Sequence, residues 1–399
     1  MDYLSLVKLS FKDYSNYLKT YQSRIHNECS TVLDFKISDN VAFYLTNQEI
    51  LLLITKIMSV DRVLNQKVES LPDVALKQYT IQLLIDEIKQ TNDIESVYST
   101  KKEIRETYKK ISKGVDKGRF NGLISKYLKF QTNEEIKLEN CEDIRNLYNE
   151  LVLKEVIEED KDNAPDGLIF RKDPVNVHTS TGKVIHEGLY PEDRIINSMT
   201  SALSVLNDDS VNYLVSAAVF HYLFAYIHPF YDGNGRTDRF ISSYVISKNL
   251  NHLVAYKFSY IIKKHQKRYY DMFADTNAPR NMGDITPFII QFLEFVLEAE
   301  KELVEDIDER LTNYKYYLSK IEHLNLRETE YNIAYLLLLV ALFDDEGMAI
   351  NSICKVVEKS YNTVKEALNH FEEMGIIRIE TLGNKKIYDL DLNKLSKVN

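Results

Sequence analysis

Residues 228–239 read His-Pro-Phe-Tyr-Asp-Gly-Asn-Gly-Arg-Thr-Asp-Arg, and most of these side chains are of types that handle phosphate. His228 can be neutral near pH 7 and accept a proton. Asp232 offers a hard oxygen for Mg2+, which takes one or two carboxylates and lets phosphate complete its shell. Gly233, Asn234 and Gly235 can adopt left-handed geometry and turn successive N–H groups onto an anion. They lead into an amphipathic stretch carrying Phe240, Ile241, Tyr244, Val245 and Ile246. The same N–H groups therefore mark a helix N-terminus, where the dipole favours negative charge. Arg236 and Arg239, three apart, share a helix face and can fork onto further phosphate oxygens. Each piece alone is commonly structural; together in one short segment they point to the handling of phosphate with a metal ion and a base.

The segment falls where a helix must stop. Val211–Ile227 is apolar almost all round, broken by Asn212, Ser216 and His221, which predicts a buried central helix. Pro229 disfavours helical geometry at His228 and ends it. Helical periodicity runs from Tyr3 to about Lys154 and includes amphipathic segments at 46–58 and 74–89. A polar turn cluster follows at 158–167. Val175 and Val177 then alternate with polar residues, Thr179–Gly182 can turn, and Lys183–His186 can return, which predicts a small β-hairpin. Helices resume near Asp193, and a charged stretch from Glu298 to Arg327 reads as a helical connector. Helices at 331–343, 349–359 and 363–374, a C-cap at Gly375 and a ribbon of 376–380 with 385–390 follow in the order of a winged helix. The expected fold class is mainly α, with a helical N-terminal region (1–115), a catalytic core (116–300), a connector (301–330) and a winged-helix-like domain (331–399).

Composition narrows the partners. The 399 residues are 44% hydrophobic and 28% charged with a formal net charge of −10, so the chain has no general attraction to nucleic acid or anionic membranes. Residues 331–399 carry eight Lys/Arg against ten Asp/Glu, and the expected recognition helix sets Lys365 against Glu366, Glu372 and Glu373. That disfavours DNA binding and favours a protein-docking or dimerisation module. Cys29, Cys141 and Cys354 lie far apart without metal-ligand spacing, as reduced thiols would. Residues 1–5 lack the marks of a signal peptide, and the greasiest stretches, 213–227 and 335–343, are too short to span a bilayer. The expected location is the cytoplasm, with no membrane association.

The segment 228–239 matches at every specified position the Fic family signature His-x-Phe-x-Asp-Gly-Asn-Gly-Arg-x-x-Arg, and the chain resembles that family's protein adenylyltransferases. The resemblance implies a Fic-type helical core that moves AMP from ATP to a Ser, Thr or Tyr hydroxyl of a protein. His228 would deprotonate the hydroxyl, and Asp232 would bind Mg2+ between the α- and β-phosphates. Gly233, Asn234 and Gly235 would form the anion nest, and Arg236 and Arg239 would hold the β- and γ-phosphates, with Thr237 and Asp238 also at the nucleotide. Phe230 would anchor the loop. The related Doc kinases replace Gly-Asn-Gly, which this chain keeps. Tyr269, Tyr270 and Asn277 resemble the adenine-site segment. The hairpin sits where the family has its flap, which would hold the target by strand addition and bring Thr181, Gly182, Lys183 and Val184 to the nucleotide. Thr91–Ser96 resembles the inhibitory motif, in which Glu95 would pair with Arg239; Ser96 departs from the usual Gly or Asn. The resemblance extends to self-modification and de-AMPylation as further activities, and a homodimer stays open. The alternative is a DNA-binding regulator that uses its nucleotide site as a sensor.

Overall fold

The computed structural model describes residues 3–115, 117–178, 184–344, 346–382 and 385–397. Contacts divide the chain into two compact units, Met1–Arg62 with Leu84–Lys301 and Val63–Leu83 with Glu302–Asn399.

The first unit begins with α1 (Leu6–Lys12) and α2 (Tyr14–Ile25), followed by a hairpin of β1 (Ser30–Ile37) and β2 (Asn40–Leu45). This hairpin corrects the expectation that helical periodicity dominates from Tyr3 to about Lys154. Leu33, Phe35 and Ile37 are buried while Asp34 and Lys36 between them are exposed, a strand period of two. The strands pair antiparallel, with Thr31 opposite Tyr44 and Ile37 opposite Asn40. Next come α3 (Gln48–Glu69) and α4 (Asp73–Ile94), each longer than the periodic segment that foretold it. They are followed by α5 (Lys101–Ile111), α6 (Asn121–Thr132), α7 (Cys141–Leu151) and α8 (Leu153–Glu159). The turn cluster expected at 158–167 is partly helical, since α8 reaches Glu159 and a 3-10 turn covers Lys161–Asn163.

The expected small hairpin is present as β3 (Asn176–His178) and β4 (Val184–Glu187), with Asn176 opposite Glu187 and Val177 opposite His186. Thr181, Gly182 and Lys183 lie outside the described residues, and of Val184 the structure describes the strand position only. Then α9 (Glu192–Leu206) and α10 (Tyr213–Ile227) pack against each other, and α11 (Asn234–Asn249) lies on α10. From Leu214 to Ile227 every residue of α10 except Ala225 is buried, as its all-round apolar character predicts. Asn212 caps it, its side chain accepting from Leu214 N at 3.0 Å. The unit closes with α12 (His252–Ala255), α13 (Phe258–Lys264), α14 (Gln266–Asn277) and most of the first half of α15 (Thr286–Glu322).

The second unit contains α16 (Glu328–Phe343), β5 (Met348–Ala349), α17 (Ile350–Val357), α18 (Tyr361–Glu373), β6 (Ile377–Leu382) and β7 (Lys385–Leu390), and a last turn, α19 (Leu392–Leu395). The expected two-stranded ribbon gains β5, giving an antiparallel sheet in the order β5-β7-β6. Gly375 takes φ +70° just beyond α18, the left-handed geometry a helix end favours. Lys365, Glu366, Glu372 and Glu373 are all exposed on α18. Among the described residues no helix is long and apolar enough to cross a membrane.

Candidate active site

The end of α10 presents His228. Its N–H closes the helix on Phe224 O at 2.9 Å, and its own backbone turns left-handed, φ 52° and ψ 63°, before Pro229. Holding that turn is Arg171, fully buried, whose guanidinium donates from Nε to His228 O at 2.9 Å, from Nη1 to Asp173 O at 2.6 Å and from Nη2 to Leu189 O at 2.8 Å. Leu189 N also reaches Ile227 O at 3.1 Å. Both chain ends of the β3–β4 hairpin are thus tied to the backbone that carries His228. Burial first, and then the charges of His186 and Arg171, lower the His228 pKa to about 4, opposed by Glu95. The imidazole is therefore neutral at pH 7 and free to accept a proton.

The loop after His228 is braced from below. Phe230, fully buried, stacks on Tyr148 with ring centres 3.7 Å apart and an interplanar angle of 12°, and meets Phe170 edge-on. Asn234 stitches the loop shut: its Nδ2 donates to Phe230 O at 2.8 Å and its Oδ1 accepts from Phe230 N at 2.9 Å. Thr237 spends its hydroxyl on Gly233 O at 2.9 Å. Gly233, at φ +78°, is the N-cap of α11 and lets the chain enter the helix with its first N–H groups facing outward. Asp232 accepts from Gly233 N at 2.5 Å and keeps its other oxygen 3.7 Å from Arg236, its side chain about one-third exposed. Arg236 itself is fully buried, and none of its three guanidinium nitrogens has a hydrogen-bond partner among the described residues.

Above this loop lies the end of α4. Glu95 is its C-cap, Val97 N reaches back to Asn92 O at 2.9 Å, Ser96 N to Asp93 O at 3.4 Å, and Ser96 takes φ +60°. That is a Schellman ending with serine at the left-handed position. It aims Glu95 Oε1 at Arg239 Nη1, 2.8 Å away. Arg239 is buried and also donates to Thr91, Nε to Oγ1 at 2.9 Å and Nη2 to the carbonyl at 3.1 Å. The carboxylate also covers the loop: a Cβ at Gly235 would stand 2.0 Å from Glu95 Oε1, so a side chain there would have to displace it.

Comparison with known proteins agrees with this geometry. Residues 137–246 match the Fic/DOC family. These residues form a Fic domain. Seventy-three residues are 38% identical to proteins described as "Protein adenylyltransferase Fic" from Aedes aegypti and from Culex quinquefasciatus. The match covers 18% of this chain and 13% of those relatives. A crystal structure of a Fic family protein from Desulfovibrio desulfuricans G20 superposes with a TM-score of 0.51 over 87% of this chain and 97% of that one, at 20% identity, and so shares the fold.

The Fic signature residues gather at one place, but the other expected nucleotide residues are distributed differently. Asp238 is buried, its Oδ1 3.2 Å from His221 Nδ1, in a cluster where His221 also meets Ser242 Oγ and Tyr269 OH, each at 2.8 Å. Tyr269 is thereby committed to the core. Asn277 accepts from Tyr222 OH at 2.7 Å. Tyr270, 40% exposed, keeps a free face and reaches Ile94 O at 3.3 Å, beside the Glu95 turn. Three residues of the Fic site escaped the sequence reading: Thr91 as the seat of Arg239, Arg171 as the clasp of His228, and Tyr148 beneath the loop. Thr91 lies within the segment 91–96 that resembles the inhibitory motif, so its signal is local. Arg171 and Tyr148 carry no local signal, since one binds carbonyls and the other is one aromatic among many on an amphipathic helix.

Proposed function

We propose that this Fic protein transfers AMP from ATP to a hydroxyl of a protein target and that Glu95 restrains the reaction. The observation that carries the reading is Arg236: a buried guanidinium without a hydrogen-bond partner, at the N-terminus of α11, beside an accessible Asp232. A buried cation is expected to be paired, and a helix N-terminus with such a donor suits a phosphate group. The phosphates of ATP would lie along Gly233–Arg236. Asp232, a single partly exposed carboxylate, fits Mg2+ brought in with phosphates; when bound, the metal would neutralise charge on the transferring group. His228 would take the proton of the target hydroxyl as its oxygen attacks the α-phosphorus and the bond to the bridging β-phosphate oxygen breaks, releasing pyrophosphate. The β3–β4 hairpin would receive an extended segment of the target through backbone bonds, and residues 331–399 would serve docking or dimerisation. Glu95 would hold Arg239 away from the γ-phosphate and misalign the substrate, which is costly because positioning supplies much of such catalysis.

Incubation of the full chain with α-labelled Mg-ATP and host lysate tests this. Label on protein, much stronger for Glu95→Gly, is the expected result; absence of label from both forms at saturating ATP would reject the reading.

A further inference from the structure

One polar group at the loop has no task in the reaction just described. Tyr148, on α7, is fully buried. Its stacking on Phe230 accounts for the aromatic ring but not for the oxygen, since phenylalanine would stack equally well. The hydroxyl has no hydrogen-bond partner among the described residues. Its place is specific. A Cβ at Gly233 would lie 3.2 Å from Tyr148 Cε2, the ring atom next to the carbon that bears the hydroxyl. The polar end of the ring therefore abuts the glycine that opens the nest, whose N–H is held by Asp232. Burial, and then the Asp232 carboxylate, push the hydroxyl pKa well up, while Arg236 and Arg145 pull against them, so the group stays protonated at neutral pH and acts as a donor. Two elements, α7 and α11, thus bring orphaned donors to one loop: the Tyr148 hydroxyl and the Arg236 guanidinium. A native structure seldom leaves buried donors unpaired unless a ligand, an ion or an ordered water completes them, and two such donors converging on an anion nest favour a ligand.

We propose that the Tyr148 hydroxyl donates a hydrogen bond to the phosphate group that Arg236 binds, making Tyr148 a nucleotide-binding residue of this Fic site. The assignment rests on the reading that nucleotide phosphates occupy the nest. In the free protein the hydroxyl is a buried, unsatisfied group; in the complex it is a donor to a charged acceptor. Replacement by phenylalanine keeps the ring and removes only the oxygen. It should therefore act in opposite directions on the free protein and on the complex.

The test is calorimetric titration of the full chain and of Tyr148→Phe with Mg-ADP and with adenosine, alongside thermal melting of the ligand-free proteins. ADP affinity should fall about tenfold in the variant, as for loss of one hydrogen bond to a charged group. Adenosine affinity should not change, and the melting midpoint should match or exceed that of the wild type. Equal ADP affinity in the two proteins would overturn the assignment while leaving the nucleotide reading intact. So would an equal loss of adenosine and ADP affinity, which would mean that Tyr148 only shapes the pocket. A variant that melts far below the wild type would also overturn it, because the hydroxyl must then be satisfied without ligand. Failure of the wild type to bind Mg-ADP would remove the nucleotide reading and this assignment together.

Discussion

In the proposed reaction His228 would act as the base and Glu95 as the restraint, and the two roles are separable by mutation. His228→Ala should lower AMP transfer by roughly 10²–10⁴-fold, the contribution of a positioned base, while ATP affinity measured by calorimetry stays near that of the wild type. Because burial, His186 and Arg171 bring this imidazole down to about 4, protonation removes the base only in strong acid. The acid limb of kcat/KM should accordingly lie near that value and not near the ordinary 6.5, and a limb at 6.5 would assign the base elsewhere. Glu95 works in the other direction. Its carboxylate occupies Arg239 and lies on Gly235, so Glu95→Gly should raise label incorporation tenfold or more, about 1.4 kcal/mol in barrier. Adding Arg239→Ala should remove most of that gain, because the freed guanidinium is what the first substitution exposes. If the double variant keeps the gain, Glu95 acts through something other than Arg239.

At the scale of elements, the ending of α4 sets how firmly Glu95 is held. Ser96 adopts φ +60°, which disfavours a residue with a side chain by roughly 1 kcal/mol relative to glycine. Ser96→Gly should therefore raise the melting midpoint, fix the carboxylate more firmly and lower basal labelling, whereas Glu95→Gly should raise it. Opposite effects at adjacent positions are hard to obtain unless the helix end itself is the restraint. The hairpin is fixed by a different device. Arg171 joins three carbonyls, one on His228 and one on each side of the β3–β4 pair. Arg171→Ala should destabilise the fold by about 3 kcal/mol, since it leaves buried acceptors unpaired, and denaturant titration measures that directly.

The molecule as a whole carries buried acids that link its stability to pH. Glu300 is fully buried with neither carboxyl oxygen hydrogen-bonded among the described residues, and burial, then Asp61, push its pKa up to about 9. Glu87, held by Ser259 and Tyr127, is pushed up to about 7, also by burial first. A raised carboxyl pKa means that the folded state holds its proton more tightly than the unfolded chain, so stability is highest below about 4.5 for these groups. It declines as pH rises, through 7 for Glu87 and through 9 for Glu300, by at most about 1.4 kcal/mol per pH unit for each group. Glu300→Gln should flatten the upper part of that slope in denaturant midpoints measured from pH 5 to 9; an unchanged slope would place the titration elsewhere. The second unit gives a further expectation at this scale. With Glu366, Glu372 and Glu373 exposed beside Lys365 on α18, labelled duplex DNA should not bind the full chain at physiological salt in an anisotropy titration.

What the sequence determined was what depends on neighbours along the chain. An anion nest is built from consecutive N–H groups at a helix start, so Asp232–Arg239 could be read as one unit, and the end of α10 at His228 followed from Pro229. The pairing of Glu95 with Arg239 came from the motif's resemblance, and the geometry brings those two groups to 2.8 Å. The β1–β2 hairpin was legible in the alternation of Leu33, Phe35 and Ile37 with Asp34 and Lys36, but a helical period imposed over 150 residues hid it. Tertiary structure alone decided the rest. Arg171 reaches a carbonyl 57 residues away, and Arg239 a threonine 148 residues away. Tyr148 acquires its orphaned hydroxyl only because Phe230 and Gly233 fold onto it. Tyr269 and Asp238 turn to the His221 cluster because that is where their polar groups find partners inside a packed core. Burial and pairing are properties of the assembled chain, and no local spacing encodes them.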